Sequence, residues 1–433
     1  MEQADMTDLS ETPGRQADGL DVALYFLVFV LSTPYYFYSL LPAGALSPIR
    51  YLLILGIFLR RPIRPRPILA VYALYIVVTY LAMVNSSVSY SKSGLANIGL
   101  ISQFIFFACL LSEKSATIKR IFYPYLTLLL ITVVPGLIYY FAILFNIDLS
   151  YSLISIGGRG DLYRNYHYLA IFGDYTVIPL GRFTITRLCG MFEEPGMLGT
   201  ILGVVYVIDE IAFPEKRRRK LFIVVVGMLT LSLAFYFFLM LVLLRSMKRE
   251  HIVKFAVVVV LLVIVIVTVV PADLQNAFQV LVMDRMAFNT ETGHFAGDTR
   301  TGYGERYLSY LTNASLGQQL FGNGSSSNSN DEEAQYASYH TILYESGFVG
   351  FILLILFASY FLVYISANVG KWHSLTLTIF PLLSIYQRPD PLSANYLVLY
   401  ALLFSIYIER RRLAKNFLSL KNLDRLPLGL PRG

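Results

Sequence analysis

Two arginines in this chain are each followed by a glycine at the same distance. Fifteen residues separate Arg187 from Gly203, and fifteen separate Arg306 from Gly322. One such spacing carries no information among 29 glycines, but these two fall in, or at the helix junctions of, the two longest polar stretches. A guanidinium presents a planar fork of N–H donors that fits phosphate oxygens bidentately. The pair therefore predicts binding of a phosphate or a similar anion.

More arginines lie in the same two stretches. The full set is Arg159, Arg164, Arg182, Arg187, Arg285, Arg300 and Arg306. We predict that Arg187 and Arg306 are catalytic. Four others are predicted to bind substrate, namely Arg159, Arg164, Arg182 and Arg300. The competing interpretation is that these arginines bind lipid headgroups or carboxylates within the same stretches.

Proton transfer needs a group that titrates near neutrality, and His340 is the first candidate. An unperturbed imidazole has a pKa of ~6.5, which suits a general base. Glu194 and Glu305 compete for that role, while Tyr339 and Glu345 are predicted to bind substrate. Glu194 also precedes a proline at a predicted helix start, where a carboxylate favours the helix dipole. No spacing of His, Cys or carboxylate residues indicates a metal site, so we expect neither a metal nor another cofactor.

The elements that hold these residues are predicted to be membrane helices. Hydrophobic residues make up 56% of the chain and charged residues 15%, against roughly 25% charged in soluble domains. The apolar residues form blocks suited to crossing a ~30 Å hydrocarbon core, such as Ile68–Val84 and Ile121–Phe145. Because lipid offers backbone groups no hydrogen-bonding partner, each block must be helical. We therefore predict an all-α polytopic membrane protein.

Basic residues set the orientation, because short cytoplasmic loops collect Lys and Arg. Such clusters flank most of the apolar blocks, for example at Arg60–Arg66 and Arg410–Lys415. They explain the net charge of +7 better than nucleic-acid binding does, so we expect no nucleic-acid partner. The block Leu221–Leu244 decides whether the number of transmembrane segments is even or odd, because it can be a hairpin or a single helix. A hairpin that turns near Thr230–Ser232 leaves most Lys and Arg inside, whereas a single helix divides them almost evenly.

The resulting map has about twelve transmembrane helices and two large periplasmic loops. Its first span covers 22–42, and the hairpin helices, 221–231 and 233–245, are too short to cross and should be enclosed by the protein. The segments are 1–20, a disordered cytoplasmic tail; 21–145, helices 1–5; 146–190, a periplasmic loop; 191–270, helices 6–9; 271–340, the large periplasmic loop; 341–408, helices 10–12; and 409–433, a basic cytoplasmic tail. The two cysteines, Cys109 and Cys189, fall near opposite faces, which argues against a disulfide.

Three stretches resemble motifs of a known family. The paired Arg–fifteen residues–Gly spacing is similar to that of Wzy-type O-antigen polymerases. The stretch Arg187–Gly196 (RLCGMFEEPG) resembles the Arg…Gly-x-Phe-x-(Glu/Asp)-Pro segment of the wider O-antigen ligase/polymerase superfamily. Leu320–Gly324 (LFGNG) and His340–Gly350 (HTILYESGFVG) resemble its Gly-Asn-Gly…His-x-x-x-x-Glu-x-Gly-x-x-Gly ending. Two features depart from that pattern: threonine follows His340 where asparagine is usual, and the hairpin turn lacks Ser-Arg.

The resemblance implies a membrane-embedded (GT-C-like) glycosyltransferase of the bacterial inner membrane with its active site facing the periplasm. Such an enzyme moves a glycan from undecaprenyl pyrophosphate onto another lipid-linked repeat unit, without metal or nucleotide sugar. The implied partners are the lipid-linked oligosaccharide donor and acceptor, membrane lipids, a chain-length regulator and a flippase. The tyrosine-rich run 163–168 is predicted to stack on sugar rings.

Two other functions stay open. An O-antigen ligase shares the superfamily, the fold and the donor, but transfers the finished chain to lipid A core. A transporter of lipid-linked glycans is the third possibility, although transporters place ionisable residues at mid-membrane, where this sequence has almost none.

Overall fold

The computed structural model of the chain is mostly helical. It describes residues 17–33, 35, 38, 41, 45–84, 90–155, 162–180, 183–192, 194–232, 234–236, 239, 288–289, 294–295, 302–324, 339–369 and 392–423. The helices are α1 Gly19–Ser32, α2 Ser47–Arg60, α3 Pro67–Val84, α4 Tyr90–Leu111, α5 Ser115–Leu144, α6 Pro195–Ala212, α7 Arg217–Leu229, α8 Gly302–Asn313, α9 Leu316–Phe321, α10 Tyr339–Ser359, α11 Ser366–Val369 and α12 Ala394–Leu423. A π-helical segment, Tyr360–Ile365, joins α10 to α11.

Three of the described helices are long and apolar enough to cross a membrane. They are Ser115–Leu144, Pro195–Ala212 and the continuous run Tyr339–Asn368. Shorter apolar helices cover Gly19–Ser32, Pro67–Ala82 and Ile98–Leu111. These helices suggest a membrane protein, and the count of about twelve spans stays a prediction. The predicted spans 253–270 and 374–387 lie outside the described residues.

The outward faces of the helices are apolar. On α5, the exposed side chains Ile131, Val134, Ile138 and Phe141 recur every three or four residues, which is the spacing of one helix face. Ile138 is 63% exposed. A continuous exposed apolar stripe is unfavourable in water and matches hydrocarbon, so lipid is the medium that suits this surface.

Aromatic rings hold the centre of the bundle together. The Tyr72 ring of α3 lies 5.1 Å from that of Phe357 of α10, measured between centroids. Phe107 of α4 lies 5.6 Å from Phe357. Phe361, in the π-helical segment, stacks on Tyr400 of α12 at 5.0 Å. Tilted and stacked ring pairs add roughly 0.5–1.5 kcal/mol each beyond their buried area, so this cluster fixes α10 between α3, α4 and α12.

Charged side chains gather at one end of the bundle. Arg61 donates to both oxygens of Glu113, at 2.6 and 2.5 Å, and lies 3.5 Å from Asp21. The neighbouring Arg60 donates to Asp21 at 2.8 Å. Arg61, Glu113 and Asp21 are all buried. The start of α1, the end of α2 and the loop before α5 therefore meet at the same end, as the predicted clusters of basic loops require.

The first helix is shorter than predicted. The predicted span 22–42 is wrong in its second half, because α1 ends at Ser32 and Thr33 is already extended. Thr33 precedes a proline, and that position disfavours the α conformation. The Thr33 hydroxyl donates to the Phe29 carbonyl and lies 3.0 Å from the Tyr125 hydroxyl. Beyond the break, Tyr35 pairs through its backbone with Phe192.

The first large loop contains β-structure, so the all-α prediction is incomplete. Strands β1 Ser152–Ser155, β2 Leu162–Tyr166 and β3 Ala170–Gly173 form an antiparallel sheet in the order β1-β2-β3. A hairpin of β4 Ile178–Leu180 with β5 Phe183–Ile185 follows in the same loop. Another hairpin, β6 Phe288–Asn289 with β7 His294–Phe295, falls in the second large loop. Strands of two to five residues are too short for an alternating apolar pattern to reveal them.

The hairpin break lies where the sequence places it. Helix α7 ends at Leu229, and Leu231 has a left-handed backbone with φ of 46°. The Phe235 ring then fills the space above Gly227, so the chain turns back along α7. The expectation that both hairpin helices are enclosed is wrong for α7, because Leu221 and Val225 are exposed. The two cysteines, Cys109 and Cys189, are buried and free.

The first prediction concerns the buried ion pair of Arg61 and Glu113. Arg61→Met leaves the Glu113 carboxylate buried without its partner and should lower the free energy of unfolding by about 3–5 kcal/mol. The double variant Arg61→Met/Glu113→Met removes both charges and should recover most of that loss. Thermal unfolding in detergent measures both, with the exposed Arg217→Met as control. Equal melting temperatures for Arg61→Met and Arg217→Met would contradict the pair.

Candidate functional site

A contact between two glycines joins the end of α9 to α10. Gly322 ends α9 with φ of 80°, and Gly347 interrupts α10 with φ of 62°. A Cβ on Gly322 would lie 2.5 Å from the carbonyl carbon of Glu345 and 2.6 Å from the nitrogen of Gly347. A Cβ on Gly347 would lie 2.5 Å from the nitrogen of Phe321. Only glycine permits this approach, and only glycine adopts both backbone conformations without strain.

The break in α10 is capped by the chain that follows α9. Gly347 has non-helical angles, so the carbonyls just before it lose their helical partners. The Asn323 nitrogen donates to the Tyr344 carbonyl at 2.9 Å, and the Gly324 nitrogen donates to the Glu345 carbonyl at 2.8 Å. The Gly-Asn-Gly stretch and the kinked helix thus form one unit, which also packs against α3.

Asn323 is the centre of this unit, and the sequence did not single it out as a functional residue. It is 5% exposed, and its Nδ2 donates to the Tyr310 hydroxyl at 2.7 Å. Its Oδ1 accepts from Gln318 at 3.1 Å. Burial raises the pKa of Tyr310, and the bond from Asn323 offsets part of that rise, so the phenol stays neutral. The signal for Asn323 was its place between two glycines of the motif.

His340 is buried against α8. Its ring lies 4.0 Å from the Tyr339 ring and 5.5 Å from the Tyr307 ring, between centroids. A Cβ on Gly304 would come within 3.8 Å of its Nε2. Arg306 is exposed on the same helix α8, next to Tyr307. The structure therefore brings His340 and Arg306 to one pair of helices.

The remaining second-loop candidates lie on the same helices. Glu345 is half-buried in α10, two residues before the kink at Gly347. Glu305 lies on α8, and its side chain is outside the described part of the chain, as is the whole of Arg300. The predicted group thus contains four described side chains: Arg306, Tyr339, His340 and Glu345.

Arg187 holds the turn of the hairpin. Its Nε donates to the Thr230 carbonyl at 3.3 Å and its Nη2 to the Leu231 carbonyl at 3.2 Å. The next residue, Leu188, donates its backbone N–H to the Leu229 carbonyl at 3.0 Å. These carbonyls end α7, where a positive charge also favours the helix dipole. Arg187 therefore joins the first loop to the hairpin, and its guanidinium is half-buried.

The turn after Arg187 is fixed between α5 and the loop sheet. Gly190 has φ of 61°, and its Cα lies only 2.7 Å from where a Cβ on Gly136 would stand. The Gly190 carbonyl accepts from Ile171 of β3 at 2.8 Å. Burial raises the pKa of the Cys189 thiol to about 12, so this cysteine is not a nucleophile at neutral pH.

Glu194 begins α6 as its N-cap. Its carbonyl accepts from Met197 at 3.0 Å and Leu198 at 3.2 Å, but its side chain makes no capping hydrogen bond. Pro195 occupies the first position of the helix, as predicted. The carboxylate is half-buried and does not cap α6.

Arg164 is engaged within the first loop. It donates to Asp174 at 2.6 Å and lies over the Tyr151 ring at 5.0 Å. Burial alone would lower the pKa of Arg164, but the hydrogen bond and charge of Asp174 raise it. This arrangement favours the alternative interpretation, a carboxylate within the loop, over substrate binding. Arg159 and Arg182 lie outside the described residues.

The tyrosine-rich run is mostly buried. Tyr163 and Tyr166 are 5% and 2% exposed, and the Tyr166 ring packs 4.8 Å from that of Tyr139. Only Tyr168, at 61% exposure, is available to stack on a sugar. The prediction of a stacking run is therefore wrong for Tyr163 and Tyr166, which build the loop core instead.

The two equal Arg–Gly spacings do not produce equal structures. Gly203 lies buried in the middle of α6, whereas Gly322 ends α9 in a left-handed conformation. Arg187 donates to the ends of the hairpin, whereas Arg306 is exposed on a helix. Within the described residues, no group of three His, Cys, Asp or Glu side chains is placed to hold a metal ion.

No family model matches the chain, and neither a curated protein nor a solved structure matches it.

The second prediction concerns the contact between Gly322 and Gly347. Gly347→Ala adds a methyl group against the backbone of Phe321 at a left-handed position, so both overpacking and strain oppose it. We expect unfolding to become easier by at least ~3 kcal/mol in thermal denaturation. The matched control is Gly19→Ala, whose methyl would meet nothing within 4 Å. A Gly347→Ala protein as stable as the control would refute the contact.

Proposed function

We propose that the chain is a polysaccharide repeat-unit polymerase of the O-antigen ligase/polymerase type. It would transfer glycan from undecaprenyl pyrophosphate onto another lipid-linked repeat unit, at the periplasmic face of the bacterial inner membrane. The observation that carries the proposal is the unit formed by Gly322, Asn323 and Gly347. It joins two stretches that resemble one family motif and sets α8, with Arg306, against His340.

The proposed reaction exchanges one C–O bond for another. The acceptor hydroxyl attacks the anomeric carbon of the donor glycan, and the bond from that carbon to the pyrophosphate oxygen breaks. The acceptor proton passes to a base, for which His340 is the candidate, and the lipid pyrophosphate leaves with its electron pair. Holding two long substrates in line supplies much of the rate, since orientation alone contributes several kcal/mol.

The departing pyrophosphate carries new negative charge, and arginines suit that charge. A preorganised donor aimed at developing charge contributes roughly 3–4 kcal/mol. Arg187 is held by two carbonyls, so it fits the role of a fixed donor. Arg306 is exposed and fits the role of a donor that reaches the substrate when it binds. Competing bases are Glu194, which makes no capping bond, and Glu305.

Two other functions are weaker. A ligase would use every residue named above, and only the doubled Arg–Gly spacing in the sequence favours a polymerase. A transporter reading expects ionisable residues at mid-membrane. In the three described helices that are long and apolar enough to cross a membrane, charged residues stand toward the ends, such as Arg120 in α5 and Glu345 in α10. A chain-length regulator and a flippase remain the proposed partners.

Glycan chain length in living cells tests the proposal. Arg306→Ala should remove the ladder of long polymers and leave a single repeat on its acceptor, with a rate loss of about 10²–10³-fold for one lost donor. His340→Ala should have the same result. Arg217→Ala, an exposed arginine at the other end of the bundle, is the matched control. Membrane expression of each variant is measured in parallel.

Arg187→Ala needs a stability measurement as well, because the same side chain holds the hairpin turn. Long chains that persist on the lipid carrier but never reach lipid A core would identify a ligase, and purified lipid A core as acceptor would confirm it. Normal ladders in all three variants would exclude the proposed site.

A further inference from the structure

Arg50 of α2 lies between two cavities that the proposed site does not use. The first, about 190 Å³, lies where α1 ends and α2 begins, and Tyr38, Leu41 and Leu46 line it together with Arg50. The second, about 120 Å³, lies among α1, α2, α4 and α12, with Ile54 in its wall. Both are far larger than the ~10–15 Å³ that a single water needs.

Among the described residues, Arg50 is the one charged side chain in the lining of either cavity. It contacts the Tyr51 ring, 5.6 Å from its guanidinium carbon, and its buried Nε has no hydrogen-bond partner. The other shielded arginines have carboxylates near them: Arg61 pairs with Glu113, Arg219 pairs with Asp209, and Arg66, whose Nε also lacks a partner, shares a cavity lining with Glu113 and Glu409. A guanidinium without a carboxylate calls for an anion, and the cavities have space for one beside the polar side chains of Ser47, Gln103 and Ser393.

The cavities border the lipid-facing surface. Ile49 and Leu52, on either side of Arg50 along α2, are 50% and 68% exposed. A molecule that reaches Arg50 therefore arrives sideways from the bilayer, and its apolar part can lie along Leu41 and Leu46. A cation with leucine side chains beside it matches a lipid with a phosphate head.

The cavities also lie at the loop end of the helices. Tyr38, in the first cavity, packs its ring 5.8 Å from Tyr35. Tyr35 packs 5.3 Å from Phe192 and pairs with it through the backbone. Phe192 belongs to the same turn that begins at Arg187. Two ring contacts thus connect the cavity to the first loop.

We propose that Arg50 and its two cavities bind the phosphate of a second polyprenyl carrier. This inference rests on the proposed function, because polymerisation joins two glycans that each hang from a polyprenyl pyrophosphate. The loop arginines take one pyrophosphate, and Arg50 takes the other, with the start of the prenyl chain against Leu41 and Leu46. A ligase binds one such carrier, so the Arg50 site belongs to a polymerase.

The stoichiometry of prenyl diphosphate binding tests the inference. The probe is farnesyl diphosphate, titrated onto the full-length protein in detergent and counted by native mass spectrometry. We expect two bound molecules in the wild type. Arg50→Gln should weaken one of them by at least about tenfold, the minimum for a lost hydrogen bond to a charged group. Arg217→Gln makes the same change of charge at an exposed site and should keep both.

Further variants separate charge from fold. Ala45→Phe adds a ring at the wall of the first cavity and keeps the charge of Arg50, because Ala45 lines that cavity, and this variant should also lose one molecule. Arg50→Lys keeps the charge and should retain part of the binding. Two tight molecules in Arg50→Gln would overturn the inference. A wild type that binds one molecule, lost only in Arg306→Ala, would overturn it and leave the proposed function intact.

Competitors identify the occupant. Phosphatidylglycerol that displaces farnesyl diphosphate from Arg50 at equal concentration would show a site for bulk lipid, and inorganic pyrophosphate that binds equally well would show a simple anion site. Either result overturns the carrier assignment. Normal glycan ladders in Arg187→Ala and Arg306→Ala, with prenyl diphosphate still lost in Arg50→Gln, would instead reject the proposed function and keep a prenyl phosphate site.

Discussion

The close approach of Gly322 and Gly347 is the constraint on which the second loop depends. Two backbones meet at a distance that no Cβ allows, and both need left-handed angles. Because Gly347 breaks α10, two carbonyls become available, and the N–H groups of Asn323 and Gly324 take them. Helix α9 is thereby fixed to the kink. The position of α8, and with it the distance between Arg306 and His340, follows from that junction.

The arginines divide by what compensates their charge. Arg61 has a carboxylate, and Arg187 has the carbonyls at the end of a helix. These groups already neutralise or satisfy the side chain, so a pyrophosphate at Arg187 would add to an ordered site that costs little reorganisation. Arg306 is exposed, so its immobilisation on binding costs side-chain entropy. In the proposed site, a donor held by carbonyls and an exposed donor would suit a substrate that must enter, react and leave.

The sequence predicted the long helices well and the irregular parts poorly. Pro195 and the apolar run after it placed the start of α6 within a few residues, and Thr230–Ser232 marked the hairpin break. Hydrophobic composition and helical periodicity are averaged over many residues, so a few atypical residues do not change the predicted helix. The end of α1 at Ser32 depends on one proline, and β1–β3 depend on tertiary pairing. Arg50 was missed because only the fold shows which cation has no acidic neighbour in its cavity.

The repeated Arg–Gly spacing shows that a sequence pattern alone does not determine local structure. Gly203 is a buried helix residue and Gly322 is a left-handed turn residue, so the same number of intervening residues serves two unrelated local structures. The spacing therefore cannot be what separates a polymerase from a ligase in physical terms. The physical difference is the number of lipid pyrophosphates that must be bound at once, two against one. A second cation beside a cavity, far from the glycine contact in sequence, is the kind of feature that the proposed polymerase would require.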